Sequence, residues 1–278
     1  MRQWISIGLS IATAAILAGC GGSGGAPMMA PVPMEQGIHD RNGEIGKKAT
    51  RIISTDLVVT ASPIPLPAER FPVVCAEDSC TAMLPTGPLH YNTVEATTFT
   101  SEQDSKTIGV RNGVNLRETV GSDEAFDVID FRGLGGWMKY SVFSADRSTF
   151  TGGIRWIGSA LVGQHNGTNP VSGSFTWTGA MSGLDELADE DPLIGDATIT
   201  FDMTRQVLDL AFTNIATLDD GRKYDDMNWN DVQVTDGHFS EGADTDSLSG
   251  YFFGPNHEEV SGVFERRHIL GAFGANRE

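Results

Sequence analysis

Residues 248–277 read LSGYFFGPNHEEVSGVFERRHILGAFGANR and hold three short runs of strand-like composition, Leu248–Phe253, Val260–Phe264 and Ile269–Phe273. Short runs rich in aromatic and β-branched residues, bounded by turn formers, read as strands. Phe253-Gly254-Pro255-Asn256 puts glycine and proline in turn-favoured places. The segment predicts antiparallel strands in succession, with Phe252, Phe264 and Phe273 filling a barrel interior or its base.

The same signal extends upstream. Gly136–Phe143 alternates, Gly152–Gln164 is rich in Ile, Trp and Val, and Val171–Ser182 alternates around Phe175, Trp177 and Gly179. Ile194–Met203 and Gln206–Ile215 flank a turn at Thr204-Arg205, and Asp231–Phe239 follows. Strands that recur about every 10–15 residues with turn signals between them argue for an antiparallel sandwich or barrel. About eight strands can close a barrel, and closure removes exposed edges. Glycines inside the strand patterns (Gly158, Gly173, Gly179, Gly195, Gly250, Gly262 and Gly271) suit the sharp bends of a small barrel. Gly183–Ala188 is expected to form one helical turn. A membrane-spanning barrel would need lipid-facing bands and aromatic girdles; these strands are short and polar on one side.

The expected fold is all-β: an antiparallel barrel of about eight strands over residues 131–278, preceded by a smaller β-rich region over 51–130. In that region Arg51–Thr60 has β-branched strand composition, Ser62–Pro67 is a proline-rich break, and Asn92–Thr100 and Ser105–Val110 are extended. Arg111–Thr119 fits no single pattern.

The chain opens MRQWISIGLSIATAAILAGC. Arg2 supplies a positive start, and Trp4–Ala18 is an apolar stretch too short for a comfortable membrane span. Residues 1–19 therefore read as a signal peptide, and Leu17-Ala18-Gly19-Cys20 resembles the bacterial lipobox, which implies acylation of Cys20. Stable anchorage needs more than one acyl chain, as that modification supplies. Residues 20–50, rich in Gly, Ser and Pro, read as a lipidated flexible tether. Gly21 stands where an Asp would favour inner-membrane retention, so the outer membrane is the expected location, with its periplasmic and surface faces both open to the protein.

The 19 Lys+Arg against 37 Asp+Glu give a net charge of -18. So acidic a body repels nucleic acid and anionic lipid head groups alike. Besides Cys20 there are two cysteines, Cys75 and Cys80. Export to an oxidising compartment makes a disulfide their expected state, across a hairpin with Glu77-Asp78-Ser79 at its tip. Their spacing is wrong for a redox C-x-x-C, and no nearby His or Cys completes a metal site.

The C-terminal segment also carries a family likeness. Gly250–Phe264 followed by Gly271–Arg277 resembles the last strands of the barrel domain of transferrin-binding protein B and its surface-lipoprotein relatives. Those end in G-x-F-x-G-P-x-x-E-E-x-G-G-x-F and then G-x-F-G-A-x-R; Ser261 and Asn276 stand where Gly and Lys are usual. Ala197–Asp202 and Leu210–Ile215 are similar to the family's preceding strand pair. The resemblance covers Gly136–Arg277. It implies the barrel fold, a handle-like region before it, and a binding role, since relatives bind transferrin, haemoglobin or haem, or complement regulators through variable loops and the handle. The chain has length for a single lobe of a two-lobed transferrin receptor lipoprotein.

No G-x-S-x-G elbow, H-E-x-x-H or P-loop is present, so binding is expected rather than catalysis. The six histidines are scattered and suggest no metal site. Haem ligation needs a His or Tyr aimed into an apolar pocket, and His90, Tyr91 and His165 are the nominated ligand-binding positions. The loop Leu218–Asp226 offers oxygen ligands, but Arg222 and Lys223 partly neutralise it, and it reads as a solvated hairpin loop. The expected function is an envelope-anchored lipoprotein that binds a host iron-carrier protein, haem or an envelope protein. The competing reading is a structural or assembly lipoprotein of the outer membrane with no host ligand.

Overall fold

A computed structural model describes residues 51–54, 57–61, 69–76, 79–84, 87–92, 104–123, 128–163, 165, 167–173, 175–187 and 192–278. The signal peptide, Cys20, the tether, the proline-rich break and Thr93–Thr100 lie outside the described residues.

The first three strands are β1 (Arg51–Ser54), β2 (Leu57–Ala61) and β3 (Glu69–Phe71). A small sheet follows in the order β4 (Val73–Ala76), β5 (Ser79–Leu84), β6 (Gly87–Asn92). Next come β7 (Asp104–Arg111), β8 (Val114–Asp123), β9 (Val128–Trp137), β10 (Ser141–Phe150) and β11 (Ile154–Gly163). These join the first three in one antiparallel sheet ordered β3-β2-β11-β10-β9-β8-β7, with β1 pairing the far end of β11. The remaining eight close a barrel: β12 (Thr176–Asp185), β13 (Pro192–Asp202), β14 (Val207–Thr217), β15 (Met227–Thr235), β16 (His238–Ala243), β17 (Asp246–Phe253), β18 (Glu259–Arg266) and β19 (Ile269–Arg277). The described residues include no helix.

The fold is thus the expected one, an all-β chain with a closed eight-stranded antiparallel barrel in its C-terminal half and smaller sheets before it. Two local expectations change. The barrel spans Thr176–Arg277 rather than starting at residue 131, because β9, β10 and β11 pair with β8 and β2 instead of with barrel strands. Gly183–Asp185 forms no helical turn: these residues complete β12, pairing with Leu193 and Ile269, and a turn at Glu186-Leu187 follows.

The barrel interior is a packed core, with Trp177, Phe212, Trp229, Phe239, Phe252, Phe264 and Phe273 all buried. The rings meet edge-on or tilted, Phe212 lying 4.6 Å from Phe264, 5.2 Å from Phe273 and 5.6 Å from Trp229 by centroid, within the range for favourable aromatic pairs. The strand glycines make this possible. Gly250, Gly262 and Gly271 are the direct cross-strand partners of Phe239, Phe273 and Phe264. A Cβ on any of the three would stand 2.4–2.6 Å from the partner's ring. Each phenylalanine therefore lies down across a glycine on the neighbouring strand. Phe252, Phe264 and Phe273 occupy the core positions read from the sequence.

The larger sheet packs one face on the barrel wall. Val114, Leu116, Phe143 and Leu161 from that face bury against Ala180, Tyr251, Phe253, Val263 and Ala272. This shared apolar layer joins sheet and barrel within one compact unit.

Candidate partner-binding surface

Polar clasps fix the sheet on the barrel. Glu259, 1% exposed at the start of β18, accepts hydrogen bonds from the backbone N–H of Lys139 (2.6 Å) and Tyr140 (3.0 Å) and from the Ser141 hydroxyl (2.9 Å). Burial pushes its carboxyl up to about 7, and those bonds pull the other way. A second clasp is ionic. Arg70 on β3 donates to Glu265 (2.5 Å) and to both oxygens of Glu186 (3.0 Å each), near the opposite ends of β18 and β12 from the first clasp. Burial, with Glu186 close by, raises Glu265 to about 7 despite Arg70. A pair of coupled carboxyls is what acid–base catalysis uses, but here the guanidinium occupies the space between them, and the geometry is that of a tie. Further out, Arg111 binds Asp196 (2.6 Å) and Arg132 bridges Glu118 and Asp219. Asp219 of the acidic loop is therefore spent on an ion pair, and Asp220 accepts from Thr217 and from the Arg222 N–H.

The other barrel end is sealed by the connection from β11 to β12. Asn169 donates to Val234 O (3.1 Å) and accepts from the Gly237 N–H (2.7 Å), while His257 Nε2 bonds Thr168 O (2.9 Å). With a filled interior and this seal, the barrel offers its outer faces to solvent.

His165 lies on that seal. It bridges to Phe253, its ring stacks 4.8 Å from Tyr251, and its Nδ1 accepts the Gly167 N–H at 3.1 Å. An accepting Nδ1 puts the neutral ring's proton on Nε2, so a haem iron would have to displace one or the other. His90 and Tyr91 fall on β6, in register with Thr81 and Cys80. The structure therefore separates the three nominated positions: His90 and Tyr91 stand in the small sheet, His165 against the barrel. Cys75 and Cys80 face each other across β4 and β5.

Sequence reasoning missed the outward face of the small sheet. Val74 pairs with Thr81, and Met83 with Pro88, so the four share one face. Val74 is 69% exposed and Met83 60%, and Pro88 is exposed too, whereas Ala82 on the opposite face is fully buried. A signal was present: Val73-Val74 and Ala82-Met83-Leu84 are apolar at both parities, and a strand with one wet face needs apolar residues at one parity only. Large apolar groups clustered on a solvated face mark interaction sites.

No family model and no curated protein matches the chain. Among solved structures it is similar to transferrin-binding protein B of serogroup B Neisseria meningitidis, at 14% identity and TM-score 0.37, over 82% of this chain and 43% of that one. It is also similar to a tryptophan-to-alanine mutant of transferrin-binding protein B from Haemophilus parasuis, at 11% identity and TM-score 0.42, over 81% of this chain and 45% of that one. A structure described as a surface lipoprotein matches at 12% identity and TM-score 0.39, over 80% of this chain and 98% of that one. The chain spans less than half the length of the two transferrin-binding proteins.

Proposed function

We propose that the chain is an envelope lipoprotein, held at the outer membrane through acylated Cys20, that binds a protein partner with the outward face of β4, β5 and β6. The observation that carries this reading is the exposure of Val74 and Met83, 69% and 60%, side by side on one sheet face. The small sheet lies against β1 and β3, and the larger sheet is itself packed on the barrel wall. The partner class to test first is a host iron-carrier protein, which the likeness of residues 250–277 implies.

The test is capture from serum on the immobilised full chain, beside the double variant Val74→Glu, Met83→Glu. Charging a central apolar contact is expected to weaken capture roughly tenfold or more. Equal capture by both proteins would move the interface elsewhere. Protection of the protein from added protease on intact cells would favour the assembly reading over surface display, and mass spectrometry of the N-terminal peptide tests the acyl group on Cys20.

A Cys75–Cys80 disulfide would brace the edge of this face. Its loss in Cys75→Ser, Cys80→Ser is expected to cost about 2 kcal/mol, the chain-entropy value for so short a loop. Thiol titration of the unreduced, unfolded protein checks the bond itself: a free thiol from Cys75 or Cys80 would refute it.

A further inference from the structure

The connection from β11 to β12 crosses its end of the barrel as a strap, residues 167–173, with a glycine at each end. Gly167 and Gly173 both sit in the left-handed region, at φ 72° and 91°, which glycine adopts without strain. Between them the chain dips and rises: Pro170 is buried and Val171 is 75% exposed. Asn169 ties the middle to Val234 and Gly237, and Arg277 donates to Ser172 O. A short tied segment between two small, conformationally free residues is built to hinge.

Two histidines hold the strap, and both do so as neutral rings. His165 Nδ1 accepts the Gly167 N–H at 3.1 Å; a protonated Nδ1 is a donor and cannot. That loss falls at the first hinge. His165 faces Tyr251, and His238 stacks on the same phenol ring from β16. His257 Nε2 lies 2.9 Å from Thr168 O and 3.0 Å from the Thr168 hydroxyl. His257 is buried, with Phe252 edge-on to its ring and Trp177 Nε1–H donating to its carbonyl. The charged groups facing it are Arg277 on β19 and Glu258 beside it, whose two oxygens accept from the Asn256 N–H and amide. Burial, with Arg277 adding to it, holds the ring below its ordinary 6.5, although the bond to Thr168 O pulls the other way. The closed strap therefore binds this proton more weakly than an open one, in which the ring meets water. Opening gains as pH falls below the ordinary value.

We propose that residues 167–173 form an acid-released strap, hinged at its two glycines and latched at neutral pH by uncharged His165 and His257. Below about pH 6, where an imidazole takes up its proton, the strap lifts. It then uncovers the end of the aromatic core, where Phe175 meets Phe201 and Phe252 lies beside His257. The ties through Asn169 and Arg277 do not titrate in this range, so the strands stay folded while the strap moves. The device is separate from the Val74–Met83 face and can stand or fall without it.

Hydrogen exchange read by mass spectrometry on the full-length protein at pH 7.5, 6.5 and 5.0 tests this, with each rate divided by that of an unstructured chain at the same pH. Protection of residues 167–173 should fall roughly tenfold from pH 7.5 to 5.0, the scale of a one-unit difference in proton affinity, while β18 and β19 keep theirs. His165→Asn supplies a side-chain oxygen that accepts the N–H two residues on without titrating, and His257→Gln keeps a donor for Thr168 O. Each should remove part of the pH dependence and the double variant all of it, with protection at pH 7.5 near that of the parent. Asn169→Ala, which loosens the strap without touching a histidine, should lower protection at all three pH values and leave the pH dependence in place. Protection of β18 and β19 shows that each variant folds. Full strap protection at pH 5.0, the same acid loss in the double variant, or loss in β18 and β19 alongside the strap would overturn the proposal.

Discussion

Arg70→Met is expected to destabilise the protein by about 3–5 kcal/mol at pH 8, the cost of stripping one partner from a buried ion cluster, and by much less at pH 5. The side chains of Glu186 and Glu265 are each 2% exposed and both bind this one guanidinium. Without it the two carboxyls face each other in a buried setting, and protonation of Glu265 is the relief. The sign follows from linkage. Glu265 has a folded pKa of about 7 against 4.5 for the free group, so between those values the folded state holds the proton and stability falls as pH rises. Removing Arg70 takes away the attraction that limits this rise, and the window then extends above 7. The difference between variant and parent should therefore widen from pH 6 to pH 8 and shrink towards pH 5. Urea unfolding at those three values measures it. A deficit of equal size at all three would mean that Arg70 contributes packing alone.

The reach of the sequence can be judged from the same residues. Alternation identified the strands and put Phe252, Phe264 and Phe273 inside, because period two reports which face is buried. It could not report which strand lies next door. β9, β10 and β11 alternate as the barrel strands do, yet they pair with β8 and β2. The boundary at residue 131 went wrong for that reason. The helical turn read at Gly183–Ala188 failed because the register with β13 and β19 carries β12 on to Asp185, and cross-strand pairing overrides a weak local preference.

The clasps were illegible for a stronger reason. Arg70 lies 116 residues from Glu186 and 195 from Glu265, so no local pattern links them. Asp146 on β10 is similar: burial pushes its carboxyl up to about 7. A lone acid in a strand reads as a solvent-facing residue, and only the register reveals that Gly133 and Gly158 are its neighbours. Gly158 was read as a bend; its position beside Asp146 gives it a second role, to leave space.

Phe212→Ala should produce the other large loss, at the upper end of the 3–5 kcal/mol range for a buried Phe→Ala change. The ring is fully buried and touches three other aromatic rings, Trp229, Phe264 and Phe273. Each such pair adds about 0.5–1.5 kcal/mol beyond area burial. Relaxation cannot refill the space, because Phe264 and Phe273 are already held down against Gly271 and Gly262. In a chain of this size a loss near 4 kcal/mol lowers the melting temperature by roughly 10 °C. The form of the transition carries further information. Phe212 belongs wholly to the barrel, whereas Phe143 and Leu161 tie the larger sheet to the barrel wall and Glu259 and Arg70 clasp the two. If those contacts make one cooperative unit, near-ultraviolet dichroism and calorimetry should show a single transition that moves as a whole. Two separated transitions, of which only one shifts, would mean that the sheet carrying Asp146 folds on its own, and that the clasps join two domains instead of completing one.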